Sequence, residues 1–205
     1  AKFTGLRSSR DKITFNTYLG FDYMSYIDSD RKQIGGSSTY EKSIYKDANR
    51  WGNALLSAVW ERNLSERRKM VSTYYVSDGY YSALYKNVDK YLDYKSYSLE
   101  SNISNILDIG AKLHFSDKTF SRHYLNYGAS AVYHLFSPIA YAHSYVEIDK
   151  GRSNEKQSTY GRHYNSPEID LWAEDEFTLT PRLYLNTGLR YMLFVAKGKL
   201  YNALE

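Results

Sequence analysis

The stretch Leu107-Asp-Ile-Gly-Ala-Lys-Leu-His-Phe115 alternates apolar and polar residues without a break. Its odd positions carry leucine, isoleucine, alanine and phenylalanine, and its even positions carry aspartate, glycine, lysine and histidine. Successive side chains of a β-strand point to opposite faces. The stretch therefore predicts a strand that has one apolar face and one polar face.

The same period of two recurs along the chain with varying regularity. It is clear in residues 182–194 and imperfect in residues 50–64, where Leu55 and Val59 fall on the polar face. Residues 168–179 are the weakest case, because the acidic run from Glu174 to Glu176 would also suit a helix. Residues 1–7 read as a truncated strand, followed by seven strands at 13–27, 50–64, 69–77, 103–115, 120–136, 168–179 and 182–194.

The connections between these segments alternate in length. Short polar turns are predicted at 8–12, 65–68, 116–119 and 180–181, and long loops at 28–49, 78–102 and 137–167. All three prolines fall in these predicted connections. Alternating turn lengths are typical of membrane barrels with short periplasmic turns and long outer loops. The sequence therefore predicts an all-β fold, an antiparallel up-and-down transmembrane β-barrel segment of about eight strands.

The composition agrees with this fold. Tyrosine is the commonest residue at 23 of 205, while the mean hydropathy is −0.61 and no run approaches the roughly 20 apolar residues of a membrane helix. A soluble β-sandwich also gives a period of two, but its strands usually run about 3–10 residues. The net charge of +4 is scattered, which gives no support to nucleic-acid binding, and the absence of cysteine excludes disulfides and thiolate chemistry.

Several stretches resemble TonB-dependent outer-membrane receptors. Residues 174–191, Glu-Asp-Glu-Phe-Thr-Leu-Thr-Pro-Arg-Leu-Tyr-Leu-Asn-Thr-Gly-Leu-Arg-Tyr, are similar to a recurrent strand–turn–strand of that family, in which an acidic pair precedes a tight turn. Residues 128–138 resemble one of its mid-barrel strands, and residues 51–81 resemble another hairpin. The resemblance implies a 22-stranded barrel filled by a plug domain. Such receptors import iron chelates, haem, cobalamin or glycans with energy relayed by TonB.

The chain departs from a whole receptor, because it shows no plug, no TonB box and too few strands. We therefore expect residues 1–205 to form a single partial barrel domain in the outer membrane of a gram-negative cell. Its expected partners are outer-membrane lipid, a scarce transported solute, and the TonB complex through the missing plug. Two alternatives stay open, which are an independent eight-stranded barrel acting as adhesin or structural protein, and an outer-membrane hydrolase with a Ser–His pair.

The expected mechanism is transport rather than catalysis, with no cofactor or metal. The five histidines show no spacing typical of a metal site, and Glu174 and Glu176 read as solvated or salt-bridged carboxylates near a turn. Aromatic rings can stack on sugars or flat chelates. The predicted ligand contacts are side chains of the long segments, namely Tyr80, Tyr81, Tyr141, His143 and His163.

Overall fold

The described residues form ten antiparallel strands in one sheet, which confirms the predicted fold class. A computed structural model describes residues 1–6, 8–33, 35–36, 40–148 and 151–205, so Arg7 and residues 34, 37–39 and 149–150 lie outside the described residues. The described part contains no helix that could cross a bilayer. The strands are β1 (Lys2–Leu6), β2 (Asp11–Gln33), β3 (Tyr40–Asn63), β4 (Arg68–Tyr91), β5 (Tyr94–Asp117), β6 (His123–Ile148), β7 (Gly151–Gly161), β8 (Tyr164–Thr180), β9 (Leu183–Ala196) and β10 (Lys199–Leu204).

The strands follow one another across the sheet in chain order. The lateral order is β1-β2-β3-β4-β5-β6-β8-β9-β10, and β7 pairs with the upper part of β6. Among the described residues β1 and β10 do not pair with each other, so the sheet is open. The acidic run at 174–176 lies inside β8, because its own residues pair with β6 on one side and with β9 on the other. This excludes the helical alternative for that segment.

The predicted long loops are mostly continuations of the strands. β2 and β3 pair without a slip up to Gln33 and Tyr40, and β4 and β5 pair up to Tyr91 and Tyr94, across a two-residue turn. The apolar alternation stops much earlier, which is why the sequence placed the strand ends too soon. A pair of strands whose two faces both meet water can form without apolar alternation. Its backbone hydrogen bonds and residues of high β-propensity, such as tyrosine, are sufficient.

We call the segments beyond the apolar part of the sheet, on the side away from the short turns, the upper hairpins. They comprise residues 23–33, 40–50, 80–91, 94–105 and 137–148. The opposite end, around the turns at 64–67, 118–122 and 181–182, is called the short-turn rim.

Pro138 lies inside β6 and Pro167 inside β8, so the prediction that they fall in connections is wrong for both, and the position of Pro138 has a physical reason. The Pro138 carbonyl accepts a hydrogen bond from the Arg162 N–H at 3.2 Å, so this edge of Pro138 faces β7 and β8. The N–H and C=O of one strand residue point to the same side. The donor that proline lacks therefore falls at the break between Gly161 and Tyr164, where no ladder bond is lost.

The sheet is a single layer without a packed core. Its accessible surface is 14612 Å², against roughly 9,900 Å² for a soluble monomer of 23.9 kDa. Among the described side chains only Ala48, Ala83 and Tyr145 are buried hydrophobics, while Leu19 and Phe21 are 66% and 70% exposed. A soluble sandwich would bury one face of each sheet. These surfaces therefore count against the sandwich alternative and leave the apolar face without a protein partner.

The apolar residues form a band that crosses the paired rows of residues obliquely. The row that contains Ile13 on β2 reaches Tyr191 on β9, six strand steps away. On β2 the band ends at Ile13, because the next residue on that face towards the short turns is Asp11. On β9 the band continues beyond Tyr191 by six residues in the same direction, to Leu185. At about 3.3 Å per residue and 4.8 Å per strand, this offset gives a tilt of about 35°. Membrane barrels tilt their strands by about that angle.

In β4, the residues on the apolar face differ from those that the sequence pattern favours. In the sequence of β4, Val71, Thr73 and Tyr75 recur at every second position and have high β-propensity. The register nevertheless places them on the polar face. Tyr74 and Val76 pair with Ala58 and Leu56 and so belong to the apolar band. Both sets have high β-propensity, and therefore only the pairing of β4 with its neighbours distinguishes them.

The two faces can be tested with nitroxide labels on consecutive residues of β5. We expect labels on Ala111→Cys and Leu113→Cys to collide with lipid-soluble oxygen when the chain is reconstituted in vesicles. A label on Lys112→Cys should instead collide with a water-soluble nickel chelate, because its side chain lies on the polar face. Power-saturation electron paramagnetic resonance measures both collision rates. Equal oxygen accessibility at all three positions would contradict the membrane placement.

Candidate functional site

The polar face carries charged groups that meet across three strands at the height of the apolar band. His134 on β6 lies with its Nδ1 2.7 Å from Asp108 Oδ1 on β5 and its Nε2 4.0 Å from Glu168 Oε2 on β8. The three side chains are 27–34% exposed, so they are neither buried in a core nor fully free in water. Charged groups within a membrane protein face the interior or a hydrated cavity. This face is therefore the lumen side of the wall.

A second charged cluster lies lower on the same face. Asp170 on β8 is 6% exposed and accepts hydrogen bonds from Ser130 Oγ at 3.0 Å and Arg190 Nη2 at 3.1 Å. Lys112 Nζ lies 4.9 Å from the ring centroid of Trp172. Such charged and hydrogen-bonding partners offset the cost of burying a carboxylate. These residues line an open cleft of about 500 Å³, which reaches Glu174, Gly188 and Glu205.

Two glycines on this face make room for large aromatic rings. A Cβ at Gly110 would collide with the ring of Tyr75, and one at Gly128 would collide with the Leu113 carbonyl and the ring of Trp172. The rings therefore lie flat over glycine on the neighbouring strand, which covers the exposed backbone. This packing keeps the charged groups beside Trp172 and Tyr75 in place on the lumen side.

Glu61 joins two lysines on the same face at the short-turn rim, below the apolar band. Its two carboxylate oxygens lie 2.7 Å from Lys12 Nζ and 2.6 Å from Lys69 Nζ. The hydrogen bond from Lys12, followed by that from Lys69, lowers the pKa of Glu61 from 4.5 to about 2. Sequence reasoning missed this triad and the Asp170 cluster, because their members are 8 to 60 positions apart and only the strand register brings them together.

Tyrosines and carboxylates share the lumen face of the upper hairpins. Tyr81 is 45% exposed and donates a hydrogen bond from its hydroxyl to Asn49 Oδ1 at 3.0 Å. Asp89 accepts hydrogen bonds from the Ser43 and Asn87 side chains at 2.6 Å and 3.1 Å. The negative charge of Asp47 raises the pKa of Tyr85. The side chains that donate hydrogen bonds to Asp89 within the described residues are uncharged, so the lumen above the band is negatively charged and rich in phenolic hydroxyls.

The five predicted ligand residues do not form one site. Tyr81 faces the lumen, whereas Tyr80 is half-buried on the opposite face beside Phe21 and Arg50. Tyr141 and His143 lie on that same outer face, with their rings 6.5 Å apart. His163 lies in the exposed turn between β7 and β8, where its Nδ1 is 2.8 Å from Ser137 Oγ. A ligand contact at these five residues stays a prediction, and their placement makes Tyr81 the one that a solute in the lumen would meet.

A Ser–His contact occurs on the lumen face, as the hydrolase alternative requires. Ser116 Oγ lies 3.1 Å from His114 Nε2, but the Ser116 hydroxyl donates to Asn126 Oδ1 at 3.1 Å. The hydroxyl proton therefore points away from the imidazole that would have to remove it. The described residues also include no group of three histidine or carboxylate side chains that could hold a metal ion.

Comparisons with known proteins find similarity of fold only. No protein-family model matches this chain, and no curated protein sequence matches it. The chain superposes on the siderophore receptor PiuA from Acinetobacter baumannii with a TM-score of 0.56 at 10% identity, over 99% of this chain and 42% of the receptor. BauA, the ferric preacinetobactin receptor of the same organism, gives 0.43 at 10% identity, over 95% and 36%. The chain thus shares a barrel-wall fold with part of PiuA and spans about two fifths of its length.

The charge triad at the short-turn rim predicts a pH dependence. The pKa of Glu61 is depressed on folding, so its contribution to stability is complete above pH 4.5 and is lost as the pH falls towards 2. We expect Lys69→Met to raise the Glu61 pKa by at least half a unit, measured by the carboxyl ¹³C shift of the chain in micelles. Lys118→Met, whose ammonium lies over Tyr124, is the matched control. An unchanged Glu61 pKa in the Lys69 variant would count against the triad.

Proposed function

We propose that this chain is part of the wall of an outer-membrane receptor barrel that takes up a scarce solute, such as an iron chelate, haem, cobalamin or glycan, with energy relayed by TonB. The observation that carries the proposal is the wall itself, which is apolar outside and charged inside, with strands tilted by about 35°. The likeness of fold to a siderophore receptor supports it further. In this function the lumen face guides the solute, and a plug domain elsewhere in the protein contacts the same face.

The open sheet favours a large barrel over the small-barrel alternative. A membrane barrel leaves no sheet edge exposed to lipid. Ten strands are present, yet β1 and β10 remain edges among the described residues, whereas an independent eight-stranded barrel would join its first and last strands. Small barrels also fill their interior with side chains. Here Lys12, Lys69 and Arg190 on the lumen face keep 42–47% of their side-chain surface exposed, which suits a wide lumen.

The lumen above the band favours some solutes over others. Six carboxylates face it from β2 to β5, and Lys32 is the single basic side chain among the described residues of that surface. A vestibule lined by one sign of charge concentrates solutes of the other sign. We therefore expect a neutral or cationic solute to enter more readily than a polyanionic chelate, with its aromatic or sugar faces stacking on the exposed tyrosine rings.

Uptake by the complete receptor provides the direct test. Cells that carry the parent gene should accumulate one member of a panel of ⁵⁵Fe-loaded catecholate and hydroxamate chelates, haem and labelled cobalamin. Uptake should stop when TonB is disrupted. Uptake that persists without TonB, or its absence for every probe together with adhesion of the cells to surfaces, would refute the transport proposal and favour the adhesin alternative.

Neighbouring tyrosines on opposite faces allow a sharper experiment. We expect Tyr81→Ala to raise the half-saturating concentration of the transported probe by about tenfold, because the variant loses a lumen ring that can stack on it. Tyr80→Ala removes the same ring from the outer face and should change it less than twofold. Tyr81→Phe should retain most of the affinity if stacking dominates. Equal effects of Tyr80→Ala and Tyr81→Ala would mean that the lumen face does not contact the solute.

A further inference from the structure

Acidic and basic side chains segregate to opposite faces of the upper hairpins. The ladders between β2, β3, β4 and β5 contain no register shift, so each residue above the apolar band keeps the face that the register assigns to it. The lumen face carries Asp28, Asp30, Glu41, Asp47, Asp89 and Glu100. The outer face, continuous with the apolar band, carries Arg31, Lys42, Lys46, Arg50, Lys86, Lys90 and Lys95, and no carboxylate of these four hairpin strands shares it above Arg50 among the described residues.

The basic side chains on the outer face stand directly opposite one another. Lys42 pairs in register with Arg31 on one side and with Lys90 on the other, and Lys90 pairs with Lys95. Four cations thus form one row across four strands, and Lys46 faces Lys86 two rows closer to the band. Directly opposed residues have Cβ atoms about 5 Å apart, and like charges at that spacing repel each other. A bound anion would turn this repulsion into attraction.

At the opposite end of the outer face, basic side chains form ion pairs with carboxylates of the same sheet. At the short-turn rim Arg68 Nε lies 2.7 Å from Asp117 Oδ2, and Arg62 Nε lies 3.8 Å from Asp11 Oδ1. On the upper hairpins, no ion pair within the described part of the chain joins a carboxylate to Lys42, Lys46, Lys86 or Lys90. These four lysines are therefore open to an anion on the outer face.

A stacked tyrosine pair organises part of the basic surface. The rings of Tyr97 and Tyr145 lie 4.9 Å apart and nearly parallel, in the row between the two basic rows. Lys86 Nζ lies 5.6 Å from the Tyr97 centroid, and Lys95 Nζ lies 5.3 Å from the Tyr145 centroid and donates to its hydroxyl at 2.9 Å. These contacts hold two ammonium groups at fixed positions before any anion arrives. The surface ends at β6, where Glu147 stands in the basic row and His143 contacts Glu155 at 2.9 Å.

We propose that the outer face of the upper hairpins binds the phosphate groups of lipid headgroups in the leaflet that surrounds the barrel. The basic rows begin a few residues beyond the apolar band on the same face, which is where the headgroups of embedded lipids lie. A soluble polyanion would have no reason to prefer a surface continuous with the lipid-facing band. The inference uses the membrane placement in the proposed function but not the transport role, and the nitroxide labels on β5 test that placement separately.

Native mass spectrometry of the chain in a neutral detergent tests the binding directly. The probes are bisphosphorylated lipid A, the same lipid after phosphatase treatment, and inorganic phosphate. The combined variant Lys42→Gln, Lys46→Gln, Lys86→Gln and Lys90→Gln should retain the bisphosphorylated lipid at least tenfold less well, since each basic side chain near an anionic surface contributes roughly fivefold. Dephosphorylated lipid should bind both proteins weakly, and millimolar inorganic phosphate should not displace the bisphosphorylated lipid.

Two further variants separate a built surface from net charge and from misfolding. Glutamine at Lys2, Lys32, Lys118 and Lys199 removes the same charge away from the outer face of the upper hairpins and should leave lipid retention unchanged. Arginine at Lys42, Lys46, Lys86 and Lys90 should preserve it, and far-ultraviolet circular dichroism checks the β content of all variants. Equal retention by the glutamine variant and the parent chain, equal loss in the control variant, or displacement by inorganic phosphate or heparin would each overturn the proposal.

Discussion

The antiparallel register, which is unbroken from β2 to β6, is the constraint on which the rest of this structure depends. Side chains alternate with a period of two, so one slip in pairing would move every residue beyond it to the other face. From Met70 at one end of β4 to Lys90 at the other, the pairing with β3 and β5 continues without a bulge. The same register therefore determines which residues meet lipid, which line the lumen, and which charges collect on each side of the upper hairpins.

The source of stability differs from that of a globular protein. Among the described residues no large side chain is fully buried, so the hydrophobic effect cannot act between two protein layers. Within a bilayer the apolar band is matched by lipid chains, and every backbone group between two strands is satisfied by its neighbour. The polar pairs of the lumen face, such as Asp108 with His134 and Asp170 with Arg190, connect adjacent strands and oppose slippage of the register.

The sequence predicts some of these features well, for identifiable reasons. Alternation in residues 107–115 determines the two faces of β5, and the turns near Ser65, Ser116 and Pro181 lie where polar residues interrupt it. Patterns fail where both faces are wet, as in the upper hairpins and β7, because hydrophobicity no longer marks a strand. They also fail for partners distant in the chain. Nothing local in the sequence indicates that Glu61 joins Lys12 to Lys69. Nor does it indicate that Tyr80 and Tyr81 belong to a strand and therefore face opposite sides of the sheet.

Charge is distributed differently at the short-turn rim and on the upper hairpins. At the short-turn rim, cations and carboxylates on the outer face neutralise each other within the sheet, as Arg68 and Asp117 do. On the upper hairpins the signs are separated across the thickness of one sheet, with carboxylates inside and ammonium groups outside. Such a separation places a field across the wall, and each face then attracts a different kind of molecule. One strand alternation thus gives the two faces of a single sheet opposite charge, because neighbouring residues of a strand point to opposite sides.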